Sequence, residues 1–452
     1  CASYLGLDGI LMYALLLTCK TLESVKSETT PKHPTWWVPS LYFAEGLPYV
    51  MVMTVSTIMY KNLNISNTEL ALYTSWLYLP WVIKPFWSPL VDIFRTKRWW
   101  IVAMQFLIGV ALAGVAFTIP TSFFFQITLA FFWLMAFSSA THDIAADGFY
   151  MLALSEGDQS LYVGIRSTLY RAAMILGQGV FVYAAGKIAE ANNNDFVMSW
   201  SLSFGAIAVI FLLFGVYHLW ALPRPATDVP AVNPEKGVVA TFVETFVTFF
   251  SKPGMLVATL YLLFYRFAES QLVKMASPFL LDTPEKGGLG FLTSDVGLIY
   301  GTFGILGLTI GGIVGGIVAA KGGLRKWIIP MAAAINLPNL VYVLLSFFPT
   351  NDFFVVTAAV VTEQLGYGFG FTAYMLYMMY ISQGEHKTAH YAFGTGLMAL
   401  GMMIPGMWSG KLQEILGYQY FFLWVMVATI PSFLLAWMIR GIPESYGKKE
   451  HI

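Results

Sequence analysis

The sequence predicts an all-α membrane protein of twelve transmembrane helices, arranged as two pseudo-twofold-related six-helix bundles. Three observations predict it. Hydrophobic residues fill 57% of the 452 positions and charged residues only 11%, against about 25% charged in a soluble domain; mean hydropathy is +0.67. Apolar stretches long enough to cross ~30 Å of hydrocarbon recur twelve times. Short motifs repeat in register between the first and second half. The 14 Trp and 24 Tyr suit the headgroup level, and the 40 Gly suit close helix approach.

The first bundle, 37–221, holds apolar segments near 37–59, 70–92, 99–118, 122–152, 161–186 and 199–221. The second, 254–440, holds segments near 254–276, 291–320, 327–348, 352–381, 388–409 and 419–440. A lead-in, 1–36, precedes them and a tail, 441–452, follows. Its apolar run Ile10–Thr18 is too short to span. The sequence begins at Cys1, which reads either as a lipid-modified cysteine left by signal cleavage or as a point inside a longer product. Cys1 and Cys19 both precede the first span, so no disulfide framework holds the core. The segment 222–253 reads as a cytoplasmic linker with an amphipathic surface helix, Val238–Phe250.

Lysines and arginines orient the chain. With the N-terminus in the cytoplasm, the inside segments hold seventeen of them, in the clusters at 20–32, 95–98, 224–252, 321–326 and 440–449 plus Arg166 and Lys387. The outside loops hold four: Lys61, Lys187, Lys286 and Lys411. Both termini are expected in the cytoplasm.

The halves match at an offset of 224. Phe43-Ala44-Glu45 recurs as Phe267-Ala268-Glu269, and Tyr150-Met151-Leu152 as Tyr374-Met375-Leu376. Gly177 recurs as Gly401, and Gly186-Lys187 with Glu190 as Gly410-Lys411 with Glu414. A parallel six-span repeat sets a pseudo-twofold axis along the membrane normal, the plan of the major facilitator superfamily, with a central site between the halves.

Nine ionisable residues fall inside spans: Lys84, Arg171, Arg266 and Lys274 with Glu45, Asp143, Asp147, Glu269 and Glu363. At about 3 kcal/mol each, nine facing lipid would cost roughly 27 kcal/mol, more than a marginally stable fold offsets. They are expected to face a cavity or one another, with nearly complete pairing. Asp143 and Asp147 share a helix face, and two close carboxylates hinder one another's ionisation, as proton coupling requires. Arg266 is three residues from Glu269 and is expected to pair with it. Gln178 shares a face with Arg171, while Glu363, Gln364 and Tyr367 form a polar face on the tenth span. Static ion pairs that lock helices are the alternative for any one of these residues; packing alone does not require all nine.

After the second span, Asp92 is followed by Arg95, Lys97 and Arg98. An Asp accepting from a neighbouring helix N-terminus would make this a gate of Asp92, Arg95 and Arg98. His142 and Asp147 have the spacing of a histidine–aspartate acyltransferase pair, but inside a long span. No P-loop, dinucleotide fingerprint or Cys/His metal cluster is present in the sequence, so no enzyme, metal or cofactor is expected.

The charged motifs together resemble the AmpG-type muropeptide permeases of the major facilitator superfamily. The stretches are Phe43-Ala44-Glu45-Gly46-Leu47-Pro48, Lys84-Pro85-Phe86-Trp87-Ser88-Pro89-Leu90-Val91-Asp92 and Thr141-His142-Asp143-Ile144-Ala145-Ala146-Asp147, with Tyr170-Arg171, Tyr265-Arg266, Glu269 and Glu363-Gln364. The resemblance implies a proton-driven importer of anhydromuropeptide in the bacterial inner membrane, active in peptidoglycan recycling. It implies acidic cavity residues at Asp143, Asp147, Glu269 and Glu363 and basic ones at Arg171 and Arg266; Glu45 stands where relatives often carry a small residue. The expected partners are a muropeptide or related saccharide, protons and the bilayer, with no nucleic acid and a monomeric state. Another oligosaccharide, a siderophore or an acyl-CoA-like anion is the competing cargo. A glycan-binding sensor is the competing class. Carboxylates Glu45, Asp143, Asp147, Glu269 and Glu363 are the expected proton-coupling groups; Lys84, Arg171, Gln178, Arg266, Lys274, Gln364 and Tyr367 are the expected cargo-binding ones.

Overall fold

A computed structural model of the chain describes residues 33–230, 238–384, 387–439 and 441–448. The readings of Cys1, of the lead-in before His33 and of the end of the tail fall outside them, as does the side chain of Asp92. Among the described residues every regular element is helical.

Among the described residues nine helices are long and apolar enough to cross a bilayer, and a tenth crossing, Met255–Leu281, qualifies together with the helix before it. Two further crossings follow from breaks in the helices. The run Ala389–Met438 is 50 residues long, twice what a bilayer needs. It folds back at Gly417, whose φ of 71° and ψ of 166° suit only glycine. The second span is two helices, Asn67–Trp76 and Leu79–Ile93, bent at Leu77-Tyr78, and it carries Lys84, so apolarity alone does not flag it. Counting these, spans 1–6 are Pro34–Asn62, the pair just named, Lys97–Thr118, Phe124–Ala153, Glu156–Ala191 and Phe196–Ala221. Spans 7–10 are Met255–Leu281, Thr293–Gly322, Leu324–Phe347 and Phe353–Ile381. Spans 11 and 12 start at Lys387 and lie on either side of Gly417. Helix Val238–Phe250 sits between the halves, and its part from Val243 meets span 7 at 96°.

The repeat reappears in the packing. Span 1 packs on span 5 in the first half and span 7 on span 11 in the second. Gly177 lies against Leu47 and Val50 of span 1, and its counterpart Gly401 against Leu263 of span 7. With no gain from burying apolar groups out of lipid, such helices associate through close van der Waals contact, which glycine permits.

The halves meet along two seams, span 5 with span 8 and span 2 with span 11. In the first, Gly301 is so close to the Gln178 carbonyl that an added Cβ would lie 2.0 Å from its oxygen; at Gly186 it would lie 2.3 Å from the Ser294 nitrogen. In the second, Gly410 stands in the same relation to the Asn67 carbonyl, at 1.8 Å. Where the first seam is tightest, both helices widen into π-type turns, Ile175–Phe181 and Gly297–Gly304, a local distortion often found at functional sites.

Both described termini lie at one end of the bundle. Trp36 packs edge-on against Trp220, and the Leu324 N–H donates to the Tyr446 carbonyl at 2.9 Å. The opposite, far end is closed by cross-half bonds. Asn67 donates to Gln413 at 2.7 Å, the Thr68 N–H to Glu414 at 3.0 Å, and Thr293 to Asn62 at 3.1 Å. Toward the termini, Gly164 of span 5 and Gly316 of span 8 face open space, while span 2 stays on span 11, with Gly396 against the Val82 carbonyl.

Candidate functional site

Two charged clusters face each other across the divide. In the first half, Lys84 of span 2 pairs with Asp143 of span 4. One turn on, Asp147 accepts from Arg166 of span 5 at 3.0 Å and from the Tyr42 hydroxyl at 3.0 Å. Arg166 also donates to the Tyr42 oxygen at 3.0 Å, and its guanidinium lies 4.4 Å from that ring's centroid. Glu45 of span 1, 8% exposed, lies in hydrogen-bonding reach of Asp143. Helix periodicity explains the grouping: Tyr42 and Glu45 are three apart and Asp143 and Asp147 four apart, so each pair shares a face.

This cluster looks toward the second half, since Asp147, Arg166 and Lys84 all act electrostatically on Tyr391 of span 11. The Asp147 side chain is 40% exposed and Arg166 29%.

In the second half, span 7 breaks at Tyr265-Arg266, and its second piece, Phe267–Leu281, starts there. Glu269 falls in the first turn of that piece, where the helix dipole favours an acid. Arg266 donates to the Tyr367 hydroxyl of span 10 and sits 5.0 Å from the Phe371 ring centroid. Gln364 donates to Glu363 at 3.0 Å. Arg266 acts electrostatically on Tyr49 and Tyr78 of the first half, so this cluster also faces the divide. One oxygen each of Glu45, Glu269 and Glu363 is buried and has no hydrogen-bond partner among the described residues. Such atoms gain strongly from any donor that reaches them.

Several expectations need correction. Pairing among the nine intramembrane charges is not nearly complete: among the described residues, Lys84–Asp143 is the one direct ion pair within the set. Arg266 and Glu269 interact electrostatically, but among the described residues they form no ion pair, and the guanidinium donates to Tyr367. Lys274 is 2% exposed and bonds to the Thr74 hydroxyl across the divide at 2.9 Å, with its ammonium 5.5 Å from the Tyr78 ring centroid. Arg171 donates to the Thr309 carbonyl of span 8 at 3.4 Å. Neither has a carboxylate partner among the described residues. Gln178 is buried on the span 5–span 8 seam.

At the terminus-bearing end, the carboxylate at the start of span 3 is Asp228 of the linker. It accepts from the Lys97 and Arg98 backbone N–H groups at 2.7 and 3.0 Å, the role expected of Asp92. Arg98 caps the end of span 6 through the Leu219 and Leu222 carbonyls. Arg95, at a positive φ of 71°, lies 6.0 Å from the Trp99 ring centroid. The contacts of both arginines lie within their own half. His142 does not meet Asp147. It is fully buried and joins a chain behind the cluster, to Gln105 at 3.0 Å, from Gln105 to His218 at 2.9 Å and from His218 to Ser40 at 3.0 Å.

Sequence reasoning missed Arg166, Tyr42 and Asp228. Arg166 reads as one of the cytoplasmic cations although it lies five residues inside the apolar run that starts near 161. The helix itself starts at Glu156 and carries Arg166 into the cluster.

The fold and these two clusters define a solute carrier. The family model of the Major Facilitator Superfamily matches residues 40–409, and the chain belongs to that superfamily. Within it the sequence is similar to AmpG-type proteins, as its motifs imply. It is 26% identical over 418 residues to the anhydromuropeptide permease of Escherichia coli (strain K12), covering 89% of this chain and 79% of that one. It is 25% identical over 413 residues to the putative transporter AmpG 4 of Rickettsia conorii (strain ATCC VR-613 / Malish 7), covering 87% and 94%. The fold matches the crystal structure of a D-xylose-proton symporter with a TM-score of 0.70 at 11% identity, over 92% of this chain and 99% of that one. It also matches a bacterial homolog of the human lysosomal transporter Spinster, in an inward-facing and unoccupied conformation, with a TM-score of 0.66 at 14% identity, over 92% and 97%.

Proposed function

We propose that this carrier is a proton-coupled importer of anhydromuropeptide or a related amino-sugar saccharide, acting as a monomer in the bacterial inner membrane with both termini in the cytoplasm. The observation that supports it best is the pair of facing clusters. Proton coupling needs carboxyl groups whose protonation alters contacts between helices. Asp147 of span 4 holds Arg166 of span 5 and Tyr42 of span 1, so adding a proton there weakens bonds that fix these three spans. Glu45 and Asp143 adjoin, so one proton can serve both. A muropeptide carries carboxylates, amides and sugar faces. Lys274 and Arg171 offer cations without a carboxylate partner, Tyr49, Tyr78 and Tyr367 offer hydroxyls and rings, and the open oxygens of Glu269 and Glu363 accept from sugar hydroxyls or amides. The likeness to a protein named anhydromuropeptide permease supports the choice of cargo.

Uptake into proteoliposomes tests the reading. Asp147→Asn is expected to lower proton-driven uptake of labelled anhydromuropeptide about tenfold, within the range that coupling between two ligand sites spans. Counterflow without a gradient is expected to survive. Undiminished, pH-dependent uptake removes Asp147 from the coupling, and binding without counterflow would point instead to a glycan sensor. Competition by plain oligosaccharides as strong as by muropeptide would overturn the cargo.

A further inference from the structure

The closed far end carries a polar depression of about 660 Å³ between the halves. Lys61, Asn64 and Asn194 of the first half and Asp282, Lys286 and Gln413 of the second line it. Its floor is a bonded ring. Lys61 pairs with Asp282 across the divide at 2.7 Å and donates to Asn67 at 2.7 Å. Asn67 donates to Gln413 at 2.7 Å and to the Tyr418 oxygen at 3.1 Å, and Tyr418 donates to Asp282 at 2.7 Å. Asp282, Asn67 and Gln413 are each less than 8% exposed, so the ring is buried at its base and open above.

We propose that this depression is an outer binding site for a carboxylate-bearing amino sugar, and that the ligand's carboxylate replaces Asp282 at Lys61 to release the far-end closure. The chemistry of the walls fits that ligand. Carboxamides both donate and accept, as sugar hydroxyls and N-acetyl groups require. Lys286 and Glu414 line the same depression and both act electrostatically on Lys61; Glu414 is engaged by the Thr68 N–H, whereas Lys286 has no carboxylate partner among the described residues. The Lys286 ammonium attracts a second carboxylate, and that carboxylate can take over Lys61 without leaving its ammonium unpaired. Asp282 then keeps Tyr418, within its own half, and the ionic link between halves is gone. A neutral sugar fills the same walls but cannot make the exchange. The choice of ligand rests on the cargo class proposed above; the exchange itself rests on the ring.

The test reads geometry, not transport. The full chain, with Cys1→Ser and Cys19→Ser, receives spin labels at Ala191→Cys and Glu285→Cys, exposed positions on opposite halves of the far end. Distances are measured by pulsed electron resonance in nanodiscs with no gradient. N-acetylmuramic acid is expected to lengthen the distance and N-acetylglucosamine to leave it unchanged. Asp282→Asn is expected to lengthen it without ligand. Lys61→Gln is expected to do the same and to abolish the further response to the acid. Lys286→Gln, which leaves the ring intact, is expected to keep the short distance and to need about tenfold more acid; thermal unfolding confirms that each variant is folded. A short distance in folded Asp282→Asn, equal effects of the two sugars, or an acid response that survives Lys61→Gln would each overturn the proposal. Failure of proton-driven uptake leaves these distances unaffected, so the two readings fall separately.

Discussion

Lys274 poses the sharpest question at the scale of single residues. A buried ammonium ordinarily sits beside a carboxylate, because desolvating an unpaired charge is expensive. Here the ammonium's partners among the described residues are one hydroxyl, Thr74, and the face of Tyr78, both contributed by the other half. A cation held so sparingly is a poor static brace and a good receptor for an anion. Lys274→Met is therefore expected to leave thermal stability unchanged or to raise it, by about 1–4 kcal/mol where an apolar isostere replaces a buried charge. The same change is expected to weaken binding of carboxylated cargo about thirtyfold, the low end of the 2–5 kcal/mol range of removing one member of a buried charge pair. Calorimetric titration with acidic and neutral amino sugars checks both; equal loss for the two sugars would make Lys274 a packing residue. The nine charged positions were legible from the sequence because charge in an apolar span is conspicuous. Their partners were not, because Tyr42, Tyr78 and Thr74 are ordinary in a membrane helix and acquire their roles only from packing.

At the scale of elements, the seams govern motion. Span 5 meets span 8, and span 2 meets span 11, with glycine pressed on a backbone carbonyl in each, Gly301 on Gln178 and Gly410 on Asn67. Backbone cannot yield as a side-chain tip does, so a methyl at either position must push the helices apart. Gly301→Ala and Gly410→Ala are each expected to destabilise the closed far end by about 1–3 kcal/mol, the usual cost of overpacking. Gly316→Ala, which meets open space, is expected to be silent. Reactivity of a cysteine placed at Ser75, fully buried on the span 2–span 11 seam, toward an impermeant maleimide reads the opening. The glycine-rich runs and the surface helix Val238–Phe250 are visible in the sequence. The break of span 7 at Tyr265-Arg266 is not, since neither proline nor glycine marks it; it holds because Arg266 gains Tyr367 from another span.

At the scale of the whole molecule, the 224-residue repeat makes one lock twice. Glu190, at the end of span 5, accepts from Ser294 at the start of span 8, and its counterpart Glu414, in span 11, accepts from the Thr68 N–H at the start of span 2. Each acid thus latches the opening turn of a helix in the other half, where the dipole favours negative charge. The repeat announced both glutamates as equivalent, but not their use. A carrier sequence must support two conformations of similar energy, so it cannot single out the one in which these latches close. The Glu414 latch is exposed and the Glu190 latch half-buried; at about 0.5–1 kcal/mol each the pair is worth about 1–2 kcal/mol, a shift of roughly 5- to 30-fold between closed and open far ends. Because they lie on separate seams, their effects should add in free energy. Glu190→Ala and Glu414→Ala are thus expected to raise the labelling rate of the Ser75→Cys site by similar factors, and the double variant by their product. A double variant no faster than either single one would mean that the seams open together at the first broken latch, and that the far end is a single cooperative gate with no independent halves.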